Sequence, residues 1–260
     1  SWAGRLHLAW TGRDYRLNLL SSTDGRHFSG KSTLREKSWK QVSTSAGTDS
    51  LSQTSTVGLP PALAGTVAGL CLAWTGTDRH LNVTTFAASG PVPTSRLAET
   101  SSAAPAVAEL GGQLLVAWTG TDRRLNILSA ARPQRLDHTS NHGPAVAVTG
   151  GQVALAWIGT DRRLNVALGH DGGFGAPLVL DHTSNASPAI CSVGSDLVLA
   201  WTGTDRRLNL AVLRSGRDPS RIRVDETSNA GPAVGVHEGG VLLAWTGSDG
   251  RLNVGRLRLP

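Results

Sequence analysis

The sequence predicts an all-β fold, a six-bladed β-propeller of four-stranded antiparallel blades with a period of about 44 residues. Three observations predict it. A motif built on Ala-Trp-Thr-Gly-Thr-Asp-Arg-Arg-Leu-Asn occurs six times. Its copies are spaced like single propeller blades. Within a copy, short apolar runs alternate with turn-forming pairs, the pattern of strands joined by hairpins. Residues 1–260 read as one such domain.

The motif is anchored at Trp10, Trp74, Trp118, Trp157, Trp201 and Trp245. Four residues after each Trp comes Asp14, Asp78, Asp122, Asp161, Asp205 or Asp249. Each copy closes on Leu-Asn, at Asn18, Asn82, Asn126, Asn165, Asn209 and Asn253. Successive Trp residues are 64, 44, 39, 44 and 44 apart. A second motif, Thr-Ser, recurs at Thr54, Thr100, Thr139, Thr183 and Thr227. From its Thr to the next Trp is 18 residues in four copies and 20 in the first. The length variation therefore falls between Leu-Asn and Thr-Ser, with an insertion at about residues 31–50.

One copy gives the strand order. Pro144–Val148 is strand a, Gln152–Trp157 strand b, Leu164–Leu168 strand c and Pro177–Leu180 strand d. Strand b is almost continuously apolar, as expected of a strand covered on both faces. With a period of two, Leu155 and Trp157 share one face and Ala154 and Ala156 the other. A large face against a small one lets neighbouring sheets nest. Gly150-Gly151, Gly159-Thr160-Asp161 and Asp171-Gly172 supply the turns. Copy one starts at strand b and copy six ends at strand c, so each is one strand short. Trimmed termini, imperfect closure, or a strand from the insertion (which holds Trp39 and Val42) would each account for this.

Composition agrees. Hydrophobic residues make up 39% of the chain, enough for a packed core, and there are 31 Gly and no Met. No apolar run approaches the roughly 18 residues of a membrane span. A chain opening at Ser1 without any Met fits a secreted, extracellular protein whose leader has been removed. The net charge of +6 is carried almost wholly by Arg. Such a balance suits a polyanion partner, or simply reflects coding that favours Arg over Lys. Cys71 and Cys191 fall in copies two and five, across the ring from each other. A bridge needs Cα atoms within about 7 Å, so two buried free thiols are expected. No cofactor is expected. The eight His form no ligand-spaced cluster, and Gly30-Lys31-Ser32 lacks the upstream Gly of a phosphate loop.

Antiparallel blades place the b–c and d–a connections on one face of the disc, and these are the connections that recur. Between blades this face offers Trp, Asp, Asn, Arg and hydroxyl groups, together with one variable position: Gln53, Glu99, His138, His182 and Glu226. A sugar needs such a mixture, because its C–H patch stacks on a ring while its hydroxyls bond to carboxylate, amide or guanidinium groups. The candidate ligand-binding set is Trp74, Arg79, Glu99, Trp118, Arg123, His138, Trp157, Arg162, His182, Trp201, Arg206, Glu226 and Trp245. The bland reading stands beside it: Trp packs blades, Asp caps the b–c turn, Asn is structural and Arg is a solvated turn residue. The varying Glu/His position is the best ligand candidate.

Trp-Thr-Gly-Thr-Asp…Leu-Asn resembles repeats of sialidase-like or lectin-like propellers in actinobacterial secreted proteins. The layout is also similar to bacterial propeller lectins of the PLL type and to tectonin-like repeats. PLL-type lectins have seven blades, against six copies here, so the resemblance carries the class of function. It implies a multivalent lectin with glycan partners of fucose or galactose type, held in clefts between blades. Ser22-Thr23-Asp24-Gly25-Arg26-His27-Phe28 resembles a shortened Asp-box, and His170-Asp171-Gly172-Gly173-Phe174 echoes it. Such boxes are structural turns.

Two other classes compete. A glycosidase needs two unique carboxylates, and a sialidase-like enzyme needs a Tyr nucleophile with an arginine cluster. The one tyrosine, Tyr15, sits in a turn, and no copy breaks the repeat with an asymmetric catalytic set, so an enzyme is not expected. An Arg-rich disc for polyanions or proteins is the main alternative to a lectin. Nucleic acid is not expected as a partner, and pairing of discs into a homodimer is left open.

Overall fold

The computed structural model describes residues 1–37, 40–42, 56–130, 132–170, 173–257 and 259. Trp39, Gln53, Thr54, Asp171 and Gly172 lie outside the described residues. The described residues form strands and turns without a helix, arranged as a six-bladed propeller.

Four blades have the full a–b–c–d order. Blade two runs Ala62–Thr66, Gly69–Thr75, His80–Ala87 and Ser95–Thr100. Blade three runs Ala106–Leu110, Gln113–Thr119, Arg124–Ser129 and Arg132–Thr139. Blade four runs Ala145–Thr149, Gln152–Ile158, Arg163–His170 and Leu178–Thr183. Blade five runs Ala189–Val193, Asp196–Thr202, Arg207–Leu213 and Ser220–Thr227. All neighbours within a blade are antiparallel.

The outer two blades are each one strand short among the described residues. Blade one has Leu6–Thr11, Arg16–Ser22 and Ser29–Lys37 as b, c and d. Blade six has Ala233–His237, Gly240–Thr246 and Leu252–Leu257 as a, b and c. Residues 31–37 of the insertion belong to strand d of blade one, and among its described residues none supplies the missing a strand of blade one or d strand of blade six. The insertion's Lys40–Val42 pairs with Thr56–Gly58 as a separate two-stranded ribbon.

The core is a series of inter-blade layers. Trp201 and Leu199 of blade five pack on Ala154 and Ala156 of blade four. Trp157 and Leu155 meet Ala117 of blade three, and Trp118 and Val116 meet Ala73 and Cys71 of blade two. Trp74 and Leu72 pack on Leu17 and Ala9 of blade one. Trp245 and Leu243 pack on Val198 and Ala200 of blade five. The large-against-small nesting expected from strand b is thus the packing rule of the disc. Close-packed layers of this kind leave little spare volume, which is why the small residues recur. The Pro-Ala pairs that open the a strands (Pro105, Pro144, Pro188, Pro232) surround the axis, where they line a cavity of about 530 Å³.

Both cysteines are free. Cys71 is buried, but Cys191 is only half-buried, which corrects the expectation of two buried thiols.

Candidate functional site

The recurring turn explains its own sequence. In every copy the Asp Oδ1 accepts the backbone N–H two residues on, as Asp205 does from Arg207 at 3.1 Å. The Asn Nδ2 donates to the carbonyl two residues back, as Asn209 does to Arg207 at 2.8 Å. Both groups crowd the motif glycine. A Cβ on Gly203 would sit 2.6 Å from Asp205 Oδ1 and 3.1 Å from Asn209 Nδ2. Gly, Asp and Asn are therefore one structural unit.

The d–a loop is stitched to two turns. The backbone N–H of Ser101, Ser140, Ser184 and Ser228 donates to the carbonyls of Arg79, Arg123, Arg162 and Arg206. Ser101 and Ser228, both buried, also donate their hydroxyls to Thr119 and Thr246 of the following blade. Thr75, Thr119 and Thr202 donate to the d–a loop at Ala103, His142 and Ala230. Ile158 stands where these threonines do, so blade four replaces that bond with a buried apolar side chain. The two recurring loops share one face, as the sequence indicated, and the Thr-Ser pair fastens them.

The structure places the variable position at the end of strand d rather than in the d–a connection, and at two clefts it meets the next blade's Trp. His138 stacks on Trp157 with ring centroids 4.7 Å apart, and His182 on Trp201 at 5.2 Å. Glu99 and Glu226 hold the same position, 19 residues before Trp118 and Trp245. The rings themselves differ in access. Trp74, Trp118, Trp157 and Trp201 are buried, while Trp245 is half-buried with its indole N–H unpartnered. Glu226 is exposed and Glu99 half-buried.

Two cations near these rings were not among the sequence candidates. Arg221 lies over Trp201, 6.0 Å from the ring centroid, and donates to Asn209 Oδ1 at 2.7 Å. Lys31 holds the equivalent place over Trp10 at 5.6 Å. Both sit in strand d, whose sequence varies from blade to blade. Only its register against strand c (Ala211 opposite Arg221, Leu19 opposite Ser32) aligns them. Burial, followed by the Arg221 charge, holds the His182 imidazole below its ordinary range.

The arginines of the motif divide into two kinds. Arg79, Arg123, Arg162 and Arg206 are exposed and have φ between +66° and +68°. The following Arg124 and Arg207 pair with Asp137 and Asp225. The turn aspartates Asp78, Asp122 and Asp205 pair with Arg96, Arg135 and Arg223 of strand d. Among the described residues, no three His, Cys, Asp or Glu gather as a metal site would require. No helix there is long and apolar enough to cross a membrane. In the Asp-box-like turn, Asp24 accepts the backbone N–H groups of Arg26 and His27, which is a structural role.

No protein-family model matches this chain, and no curated protein matches it in sequence. Solved structures do. An Aleuria aurantia lectin mutant in complex with Fucalpha1-6GlcNAc aligns with a TM-score of 0.65 and 12% identity, covering 98% of this chain and 89% of that one. The BP39L lectin from Burkholderia pseudomallei aligns at 0.70 and 16% identity, covering 98% and 78%. The chain has the fold of these propellers. The BBS1N structure solved with ARL6DN is similar too, at 0.56 and 13% identity, covering 98% and 88%. One propeller fold thus serves lectins and a protein complex alike, and function has to be argued from the side chains.

Proposed function

We propose that this propeller is a multivalent glycan-binding lectin whose sites are the inter-blade clefts on the b–c and d–a face. One observation carries the reading: at two successive clefts the His of the variable position stacks on the next blade's Trp, and Glu99 and Glu226 hold the same sequence position at two others. The stacked His138–Trp157 and His182–Trp201 pairs fix that geometry. Where Glu replaces His, the carboxylate at that position would take two adjacent sugar hydroxyls.

The cleft between blades five and six is the best furnished. Trp245 is half-buried, its indole N–H has no partner and Glu226 is exposed. A sugar there would lay its C–H face on the indole and give hydroxyls to Glu226. The solved lectins of the same fold include a fucose-specific one, so fucosides are the first ligands to try and galactosides the second. Weak single sites on a rigid disc gain about 10²–10⁴ in avidity when several engage at once.

The test is a glycan array, followed by calorimetry on any hit. Binding of neutral fucosides or galactosides that persists in high salt supports the reading. Glu226→Ala and Glu99→Ala together should then reduce affinity at least tenfold. Silence on every neutral glycan, or full affinity in the double variant, overturns it.

A further inference from the structure

In blades three, four and five the arginine that follows the turn Asp is in a conformation that the turn itself does not reward, and Tyr15 takes it in blade one at φ +65°. Arg123, Arg162 and Arg206 have φ of +67°, +68° and +66°. This left-handed region is costly for a residue with a Cβ and free for glycine. The same turn in blade six uses Gly250, at φ +77°. The bonds made at this position are backbone bonds. Its N–H donates to the motif glycine and its carbonyl accepts from the d–a serine. Glycine would make both.

The guanidinium groups are also left over from the local charge pairing. Four acids on this face are taken by other arginines: Asp122 by Arg135, Asp137 by Arg124, Asp205 by Arg223 and Asp225 by Arg207. Arg123, Arg162 and Arg206 are exposed and, among the described residues, make no ion pair. They stand at one position on three consecutive blades. Strain retained where it serves no local need points to function.

We propose that these arginines form a basic arc that binds a linear acidic polysaccharide charged on alternate sugars, through its carboxylate or sulfate groups. Packed sheets lie about 10 Å apart, so the three charges are spread at roughly that interval or wider. A nucleic-acid strand carries a charge about every 3.4 Å, so most of its phosphates would face no cation. A chain with one anion per two sugars is sparse enough to match. The arc does not depend on the cleft reading above, and neutral fucosides test only the clefts.

The experiment compares hyaluronan oligosaccharides, desulfated chondroitin oligosaccharides and single-stranded DNA of equal contour length across a salt series. The variant carries Arg123→Gly, Arg162→Gly and Arg206→Gly. The acidic polysaccharides should bind more tightly than the DNA. The variant should lose at least tenfold in affinity, and its slope of log K against log salt should fall by about three, one per cation removed. Its Tm should hold or rise, because glycine relieves the left-handed strain. A fall in Tm would make the arginines structural. Unchanged polysaccharide binding in the variant, no binding by the intact protein, or tighter binding to DNA would each overturn the proposal.

Discussion

His182 stacks on Trp201 across the boundary between blades four and five, with ring centroids 5.2 Å apart and planes inclined by 19°. The residues belong to different sheets, so the contact joins blades. It also closes the outer end of a cleft whose inner end is packed by Leu164, Leu180 and Leu199. An aromatic pair adds about 0.5–1.5 kcal/mol beyond the area it buries. His182→Ala should therefore lower stability by about 1 kcal/mol in urea titration. Trp201→Ala should cost about 3–5 kcal/mol, as expected for a large buried ring. Equal losses from the two changes would mean that the imidazole carries packing now attributed to the indole.

The same imidazole gives the disc a sensitivity to acid. Burial holds His7, His142 and His182 below the ordinary value of 6.5, with the Arg221 charge adding to the effect at His182. An unfolded chain binds protons at these sites more readily than the folded one. Stability is therefore fully present above about pH 6.5 and is lost as pH falls toward the lowered folded values. Thermal denaturation from pH 7.5 down to 5 should give a falling Tm. His182→Gln should shallow that fall, and an unchanged slope in the variant would remove His182 from the explanation.

Two aspartates with the same turn role differ in their second oxygen. Asp205 caps its turn through Oδ1 and also pairs with Arg223 through Oδ2, at 3.2 Å. Asp161 caps its turn at 3.0 Å, but Val179 occupies the position that Arg223 holds in blade five. Asp205→Asn should cost up to about 1 kcal/mol, the range of exposed ion pairs. Asp161→Asn should cost almost nothing. Alanine at either place removes the cap and should cost about 1 kcal/mol more. The comparison fails if the two Asn variants have the same urea midpoint.

Much of this was legible because the repeat samples each position several times. The Gly, Asp and Asn of the b–c turn recur together because their atoms touch, so the sequence pattern is a direct image of one packed unit. The b strands were legible for a similar reason: Trp157 with Leu155 opposite Ala154 with Ala156 is a nesting rule written in side-chain volume. Arg221 and Lys31 were not legible. They lie in strand d, where the register is set by bulges between strands c and d that no local sequence pattern marks. The division of labour within the Arg-Arg pairs was hidden too. Only backbone geometry separates the left-handed Arg206 from Arg207, which is ion-paired to Asp225.

The thiols should be inert in the folded disc. Burial pushes Cys71 up to about 11 and Cys191 up to about 12. Only the thiolate reacts with electrophilic or disulfide reagents. Colour development with a disulfide thiol reagent at pH 8 should be negligible for the native protein and reach two thiols per chain in urea. Rapid modification of one thiol in the native state would show that half-buried Cys191 is open to the reagent, contrary to its raised value.

The ring is expected to open at the seam between blades six and one. Every other pair of adjacent blades shares a buried apolar cluster. Among the described residues, the six–one seam instead has a hydrogen bond between His237 Nε2 and the Thr23 carbonyl, at 3.0 Å. Beside it, Leu242 packs close to Gly25. His237 is buried, so its imidazole loses water that only this bond replaces. Little apolar area and one polar fastening make a region of low local stability. In native-state hydrogen exchange, amides of Gly240–Thr246 and Arg16–Ser22 should therefore exchange faster than those of Gln152–Ile158. His237→Ala should widen that difference, at a cost of about 1 kcal/mol to the disc, without changing protection in blades three and four. Uniform exchange across these three strands would mean that the seam is as strong as the apolar layers.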